Sequence, residues 1–374
     1  MFLALKELKH AKLRFLMIGI ITVLIAWLVF ILSGLGNGLS TLAAASFKNM
    51  DTDYVTFEKG SRASMSRSVI SESLIAELKQ QDNVTDAAPM GATMATILND
   101  KAEKEDEQKV DVAVLGVIPG SFLEPSIIEG NSLNSSDIQE VIVNDTLKDK
   151  GFSIGDTLTL EGTPEVVKIV GFVENETYNH VPVIFAPLDK WRAIQFAAPG
   201  SNHGIEDPVN AIMIQGKDLD STALNEHFTD HEIVTKSAAV QGMPGYKEEN
   251  GTIMMMLAFL LAISVFVLAV FFYVLTLQKS NQFGILKAIG ASNGFLGKAI
   301  VSQVFLLSLI SIVVGILLTY GTAIILPEGM PFALDVQLVV VYAILLLVIS
   351  VLSSLVSVRK ITKIDPLQAI GRVE

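Results

Sequence analysis

The 374-residue sequence contains no cysteine, so the chain forms no disulfide and offers no thiolate for zinc binding, iron–sulfur clusters or nucleophilic catalysis. Charged residues are also scarce, at 18% of the sequence, whereas a typical soluble chain carries about a quarter. Hydrophobic residues make up 51%, and the mean hydropathy is +0.51. The shortage of charge and the excess of apolar residues indicate a membrane protein.

Sequence motifs of enzymes are missing as well. There is no Gly-x-x-x-x-Gly-Lys-Ser/Thr phosphate-binding loop, no Gly-x-Ser-x-Gly and no His-Glu-x-x-His. Of the five histidines, His227 and His231 have the spacing of one helix face, but no carboxylate is placed to complete a metal site. We therefore expect no catalytic residue, bound cofactor or metal site in this chain.

Four long apolar runs dominate the sequence. Each is nearly free of charge and long enough to cross about 30 Å of hydrocarbon as a helix. They cover residues 15–35, 253–277, 299–326 and 336–358. Between and around them lie an N-terminal segment (1–14), a large polar domain (36–252), a loop (278–298), a short external loop (327–335) and a tail (359–374). The sequence thus predicts four transmembrane helices, with one domain inserted between the first and the second.

The first apolar run has features of a secretory signal peptide. Basic residues precede it, and Ala43-Ala44-Ala45 downstream resembles a cleavage site. However, the apolar core of a signal peptide has about 7–15 residues, and the run 15–35 is longer. Its length favours a retained membrane helix.

The charges are divided unevenly along the chain. The polar domain carries 16 basic and 34 acidic residues, whereas the segments 1–14, 278–298 and 359–374 each carry a net positive charge. Lys and Arg near the ends of membrane helices stay on the cytoplasmic side. We therefore expect both termini and the 278–298 loop in the cytoplasm and the acidic domain outside. The protein is predicted to be a multi-pass protein of the cell membrane, without a nucleic-acid partner.

The polar domain shows a mixture of strand and helix patterns. Alternating apolar residues predict strands, as in the stretch 51–60. The stretch 71–81 predicts an amphipathic helix with Ser71 as its N-cap, and the charged stretch 99–110 predicts a turn or hairpin tip. The domain is therefore predicted to be α+β, with two subdomains.

The loop 278–298 is longer than a connection between two membrane helices requires. Within residues 280–290, Phe283, Leu286, Ile289 and Gly290 share one face at helical spacing, and Lys279 and Lys287 lie on another. The pattern predicts a short amphipathic helix that ends at Gly294. Such a helix can lie on the membrane or bind in the groove of a partner protein. Its shortness and its glycines favour the partner protein.

Two motifs carry a resemblance to a known family. The loop sequence FGILKAIGAS and the tail sequence KIDPLQAIGR resemble the corresponding motifs of the MacB/FtsX-like permeases of ABC transporters, and the segment EVIVNDTLKDKGFSIGDTLTLEG looks like their periplasmic core domain. The resemblance implies a homodimer that works with a separate, dimeric ATP-binding subunit, so that ATP and Mg²⁺ act through this partner. It also implies a coupling helix that contacts this subunit through Phe283, Gly284, Ile285, Leu286, Lys287, Ala288, Ile289 and Gly290.

Within this family the chain is most similar to the haem-exporting permeases of Gram-positive bacteria, through AVFFYVLTLQKSNQFGILKAIGAS and MPFAL. The resemblance implies haem, or another small amphiphile, as a substrate that reaches the protein from the membrane lipid. Soft and aromatic residues of the first two spans are the candidate substrate-facing positions: Met17, Trp27, Met254, Met255, Met256 and Tyr273. The same residue types are also ordinary membrane-span fillers.

Other readings of the sequence stay open. Relatives of this kind also export amphiphilic peptides or antibiotics, or transmit ATPase cycles to an external partner such as a cell-wall hydrolase. Sensor subunits usually have ten spans, so four spans argue against that role. Small residues at Gly34, Gly36, Gly38, Gly315 and Gly321 fit a dimer interface or a hinge, and for the first three the end of a helix fits equally well.

Overall fold

The structure is a computed structural model that describes residues 12–99, 108–327 and 330–362. The basic residues of segment 1–11, most of the charged stretch 99–110 and the KIDPLQAIGR motif lie outside the described residues. The chain forms two compact units, Met1–Gly38 with Asn250–Glu374, and Leu39–Glu249. They are named here the helical unit and the α+β unit.

In the described ranges the chain forms nine α-helices and thirteen strands. The helices are α1 (Lys12–Asn49), α2 (Leu74–Leu78), α3 (Leu188–Gln195), α4 (Ser221–His227), α5 (Lys236–Gln241), α6 (Tyr246–Gln278), α7 (Ser280–Ala288), α8 (Asn293–Ile325) and α9 (Val336–Thr362). The strands are β1 (Tyr54–Glu58), β2 (Ile70–Ser71), β3 (Val84–Leu98), β4 (Lys109–Val117), β5 (Ile127–Gly130), β6 (Glu140–Asn144), β7 (Thr157–Leu160), β8 (Val166–Val173), β9 (Thr177–Tyr178), β10 (Val181–Pro187), β11 (Pro208–Val209), β12 (Ala211–Gly216) and β13 (His231–Thr235).

Four helices are long and apolar enough to cross a membrane, namely α1, α6, α8 and α9. The four predicted apolar runs fall almost entirely inside them. At several ends the helices run beyond the predicted spans, because helical hydrogen bonding continues through polar residues. Where the bilayer begins and ends along these helices remains a prediction.

The first three small residues of the predicted set are packing positions. Gly34, Gly36 and Gly38 lie inside α1, which continues to Asn49, so the helix-end interpretation is wrong. A Cβ added at Gly38 would lie 2.3 Å from the backbone oxygen of Pro331, whereas at Gly34 and Gly36 it would lie 2.5 Å from side-chain atoms of Phe332 and Ile253. A glycine lets the neighbouring segment of the same chain approach α1 this closely.

One long strand connects the two halves of the α+β unit. β3 pairs with β12 through residues 84–90 and with β4 through residues 91–98. On one side the strand order continues to β1 and β13. On the other side β4, β10, β6, β8 and β7 follow, and β7 pairs back with β3, so these six strands close into a ring. The two predicted subdomains are therefore one compact unit, because β3 is long enough to serve both halves.

The end of α1 belongs to the α+β unit. Ala44 interrupts the helix with a φ of −144° and a ψ of 20°. The turn between β9 and β10 meets this interruption. There the backbone N–H groups of Asn179 and His180 donate to the carbonyls of Ala43 (2.8 Å) and Leu42 (3.1 Å). The turn therefore provides hydrogen-bond donors for the carbonyls just before the interruption of the helix.

The helix predicted at 71–81 is shorter than expected. Ser71 pairs in β2 with Pro208 and is not the N-cap, which is Ser73. The predicted cap is wrong because the strand pairing takes up the backbone of Ser71.

Candidate functional site

The helix predicted in the loop after the second span is present as α7. Lys279 separates it from α6, and the Lys279 N–H donates to the carbonyl of Thr276 at 3.2 Å. The Lys279 carbonyl in turn accepts from the N–H of Phe283 at 3.0 Å. Lys279 therefore belongs to the hydrogen-bonding pattern of both helices and is the single residue between them.

The end of α7 differs from the predicted one. Gly290 has a φ of +98°, a conformation that suits glycine, and its N–H donates to the Lys287 carbonyl at 3.0 Å. The N–H of Ala291 donates to the carbonyl of Leu286 at 2.9 Å. This pattern is typical of a helix end with a glycine just beyond it. The prediction that Gly294 ends the helix is wrong, because Gly294 lies in the first turn of α8.

The start of α8 follows at once. The hydroxyl of Ser292 accepts a hydrogen bond from the N–H of Phe295 at 3.2 Å and caps the helix. Gly290 and Ser292 therefore reduce the connection between α7 and α8 to a few residues.

One part of the predicted apolar face of α7 points into the helical unit. Phe283 is only 4% exposed and packs in a cluster that includes Phe15, Phe272 and Leu296. Leu286 is half-buried against the same cluster. Burial of a Phe side chain stabilises by about 1.5–3 kcal/mol, so these residues anchor α7 to its own chain.

Another part of α7 remains exposed. Ile289 is 76% exposed and Ile285 is 53% exposed, and their i, i+4 spacing makes them neighbours on one side of the helix. Phe295, in the first turn of α8, is 54% exposed. The face predicted as a single docking surface is thus divided, with Phe283 and Leu286 turned inward and Ile285 and Ile289 available outside.

The two basic residues of the predicted polar face also differ from expectation. Lys279 is only 5% exposed, and its ammonium nitrogen lies 4.8 Å from the ring centroid of Phe15. Lys287 is half-buried. Sequence spacing could not reveal the position of Lys279, because the partner ring lies in α1, more than 260 residues away.

The remaining predicted positions on α7 are smaller. Gly284 is buried, on the side of the helix that carries Phe283, and Ala288 is exposed beside the isoleucine pair. The exposed side of α7 therefore presents Ile285 and Ile289 next to the small side chain of Ala288. This side offers an apolar contact surface and carries no catalytic group.

The candidate substrate-facing residues do not share one surface. The consecutive residues Met254, Met255 and Met256 are 53%, 55% and 47% exposed, and successive residues on a helix point about 100° apart. Met17 on α1 is 59% exposed. The indole N–H of Trp27 donates to the hydroxyl of Thr322 on α8 at 3.1 Å and is therefore already occupied. Tyr273 is half-buried.

The α+β unit has a separate polar cavity. About 510 Å³ in volume, it is lined by residues that include Ser46, Asn49, Phe122 and Glu176. The Glu176 carboxylate is 7% exposed and accepts a hydrogen bond from the amide nitrogen of Asn49 at 3.1 Å. Burial raises the pKa of Glu176, and the side chains of Ser46 and Asn49 offset part of this rise. Across the described ranges, no three His, Asp or Glu side chains are grouped to hold a metal ion.

Comparison with protein families gives two matches along the chain. The family described as MacB-like periplasmic core domain matches residues 15–230. The family described as FtsX-like permease C-terminal matches residues 254–366, which include α7 and its neighbours. The first match covers α1 and most of the α+β unit, and the second covers the later helices.

Individual proteins are similar over the whole length. A Staphylococcus haemolyticus protein named hemin transport system permease protein HrtB is 27% identical, with 100% of both chains covered. An ABC transporter permease of Mycobacterium tuberculosis is 24% identical, with 99% of both chains covered. Among solved structures, the periplasmic region of MacB from Actinobacillus actinomycetemcomitans covers 52% of this chain and 94% of its own, at 14% identity and a TM-score of 0.35.

Proposed function

Because the chain belongs to the MacB/FtsX-like family of ABC transporter permeases, we propose that it is the permease of an ATP-driven exporter with a separate ATP-binding subunit. The exposed pair Ile285 and Ile289 on α7 carries this proposal. Apolar side chains on a helix that is anchored by Phe283 suit a partner with a hydrophobic groove. Movement of that partner would pass through α7 to α6 and α8, which it joins.

The membrane orientation is part of the proposal. Lys287 and Lys298, close to the exposed isoleucines, favour the cytoplasmic side, and the α+β unit with its excess of acidic residues then lies outside. The absence of cysteine permits a direct test with single introduced cysteines. Ser126→Cys in the exposed part of the α+β unit is expected to react with an impermeant maleimide in intact cells. Gln282→Cys on α7 is expected to react only after permeabilisation, and the reverse pattern would contradict the orientation.

Haem is the proposed substrate. The proposal draws on the relatives named for hemin transport and on the exposed methionines of α1 and α6, since Met surfaces adapt to flat apolar ligands and the thioether can bind haem iron. A homodimer would supply two sets of these methionines. The source of the chain is proposed to be a Gram-positive bacterium, like the staphylococcal relatives.

Deletion of the gene tests the substrate. We expect the deletion strain to lose growth at haem concentrations that the parent strain tolerates and to accumulate cellular haem, and the natural gene to restore both. Unchanged haem tolerance together with sensitivity to an amphiphilic peptide or antibiotic would identify that compound class instead. Unchanged tolerance with a defect in cell-wall hydrolysis would favour the mechanotransmitting permease.

A further inference from the structure

A groove of about 690 Å³ in the α+β unit collects basic side chains within an acidic domain. Its wall includes Arg62, Arg67 and Lys247, and Glu248 is the one carboxylate among them. In the part of the chain that the structure describes, none of the three basic side chains makes an ion pair or a side-chain hydrogen bond. By contrast, other basic residues of the same unit, such as Lys190 with Glu165, are paired. The groove therefore presents three basic side chains against one carboxylate, a net positive charge within an acidic domain.

The loop that carries Arg62 is held in an uncommon conformation, and Arg67 follows it in a short 3-10 helix, Met65–Arg67. Arg62 and Ala63 have φ values of +60° and +56°, which residues with a Cβ rarely adopt. The carboxylate of Glu232 maintains this shape, since it accepts hydrogen bonds from the Ser61 hydroxyl (2.8 Å) and from the Ala63 N–H (2.5 Å). Backbone strain that the surrounding structure enforces is often found at ligand sites.

A glycine that lines the groove allows the same loop to approach closely. A Cβ added at Gly242, at the end of α5, would lie 2.5 Å from the backbone oxygen of Ala63. Gly242 itself lines the groove. Two independent contacts, from Glu232 and from Gly242, thus hold the backbone next to Arg62, so this part of the groove wall has a defined backbone conformation.

The chemistry of the groove matches a phosphate ester. The guanidinium group of arginine binds phosphate oxygens through two parallel N–H groups, and a lysine ammonium adds charge. Ser64 and Ser66, whose hydroxyls lie 3.1 Å apart, add donors on the same wall. We propose that this groove binds the phosphate of an anionic phospholipid headgroup, at a site distinct from the substrate and from the ATPase contact.

The position of Lys247 favours lipid over free phosphate. Lys247 lies in the first turn of α6, six residues before the apolar run that begins at Ile253, and six helical residues rise about 9 Å. A membrane has polar headgroup layers of several Å on each side of the hydrocarbon. This step rests on the proposal that α6 spans the membrane. It does not depend on which side of the membrane the α+β unit occupies.

The test uses the full-length chain purified in a neutral detergent and calorimetric titration. The probes are dioctanoyl phosphatidylglycerol, dioctanoyl phosphatidylcholine and inorganic phosphate. We expect the natural chain to bind phosphatidylglycerol more tightly than either of the other two. The triple variant Arg62→Gln/Arg67→Gln/Lys247→Gln is expected to lose affinity for phosphatidylglycerol by about tenfold or more, since it removes several charge-assisted hydrogen bonds.

A second triple variant is the matched control. Lys150→Gln/Lys168→Gln/Lys217→Gln removes the same charge from exposed positions of the α+β unit outside the groove, and its affinity should equal that of the natural chain. Equal loss in both variants, equal binding of phosphatidylcholine, or phosphate binding as tight as that of phosphatidylglycerol would each overturn the proposal.

Single substitutions make the test independent of folding problems in the triple variant. Arg67→Gln alone is expected to weaken binding of phosphatidylglycerol, and Arg67→Lys to restore part of the affinity, because lysine keeps the charge but lacks the planar fork. Unchanged affinity in Arg67→Gln overturns the proposal. Co-purification of the ATP-binding subunit with the groove variants is measured in parallel and should stay normal, so failure of the proposed ATPase contact would be recognised separately.

Discussion

The ammonium nitrogen of Lys279 lies 4.8 Å from the centroid of the Phe15 ring, and this contact joins the start of α7 to α1. Lys279 is almost completely buried. The face of an aromatic ring attracts a cation, more strongly where water is excluded. Phe15 also belongs to the apolar cluster that receives Phe283. α7 is thus attached to the helical unit at its beginning by a cation and in its middle by an aromatic side chain.

Replacement of Lys279 should loosen α7 without unfolding the protein. Lys279→Met keeps most of the side-chain stem but removes the cation, and we expect a loss of about 1–2 kcal/mol in the local stability of α7. Hydrogen exchange of the α7 amides in the full-length chain measures this loss. Lys298→Met, at an exposed position of α8, is the control and should leave the exchange unchanged. Equal exchange in both variants would show that the Phe15 contact does not hold the helix.

The exposed isoleucine pair gives a sharper test of the proposed coupling. Ile285→Asp/Ile289→Asp should abolish stimulation of the ATP-binding subunit, because burial of a carboxylate against an apolar groove costs several kcal/mol. The variant should still insert into the membrane at the natural level, since both positions are exposed. ATP hydrolysis by the reconstituted complex and co-purification of the two subunits are the measurements.

Two further variants separate docking from folding. Ile285→Val/Ile289→Val keeps the surface apolar and should retain coupling. Leu286→Asp places a charge against the buried cluster and should lower the yield of folded protein. If Ile285→Asp/Ile289→Asp hydrolysed ATP at the natural stimulated rate, the partner would bind elsewhere than on this face.

The two sides of α7 show what could be predicted from the sequence and what could not. Periodicity correctly predicted a short helix in residues 280–290, and the apolar runs correctly predicted the long helices. The spacing of Phe283, Leu286 and Ile289 could not show which of them the chain itself would cover. That depends on the position of α1 and α8, which is a matter of packing between distant segments. The exposed Phe295 was not singled out, although it lies in the predicted loop 278–298, because the helical spacing was followed only through residues 280–290.

In the α+β unit, the sequence likewise predicted individual strands but not how distant strands pair. Strands such as β1 and β10 follow from alternation and from β-branched residues. The closed ring through β3 and β7, however, depends on long-range pairing that local patterns do not encode. The basic groove was also hidden, because Arg62 and Lys247 are 185 positions apart in the sequence.

Burial of Glu176 predicts a pH dependence of stability. Its pKa is raised above 4.5 in the folded chain, so the folded state binds the proton more tightly than the unfolded state. Stability contributed at this site is therefore present at low pH and is lost as pH rises from about 4.5 through the raised pKa. Glu176→Gln, which can still accept from Asn49, should raise the unfolding temperature at pH 7 and reduce its fall between pH 5 and pH 7.

The exposed Glu226, in α4, provides the control for this pH effect. Glu226→Gln changes the net charge equally in the same unit and should leave the pH profile of the unfolding temperature close to natural. A profile for Glu176→Gln that parallels the natural one would mean that the folded protein does not favour the protonated carboxyl.

Gly38 and Gly321 form a matched pair for the packing of the helical unit. A Cβ at Gly38 would lie 2.3 Å from a backbone oxygen that no side-chain rotation can move, whereas a Cβ at Gly321 meets no atom within 4 Å. Gly38→Ala should therefore destabilise the helical unit by about 1–3 kcal/mol or more. Gly321→Ala, inside α8, should be neutral or stabilise by up to about 1 kcal/mol, because alanine favours helix. Thermal unfolding of the two variants in detergent measures the difference. Equal unfolding temperatures would mean that the segment carrying Pro331 does not pack against α1.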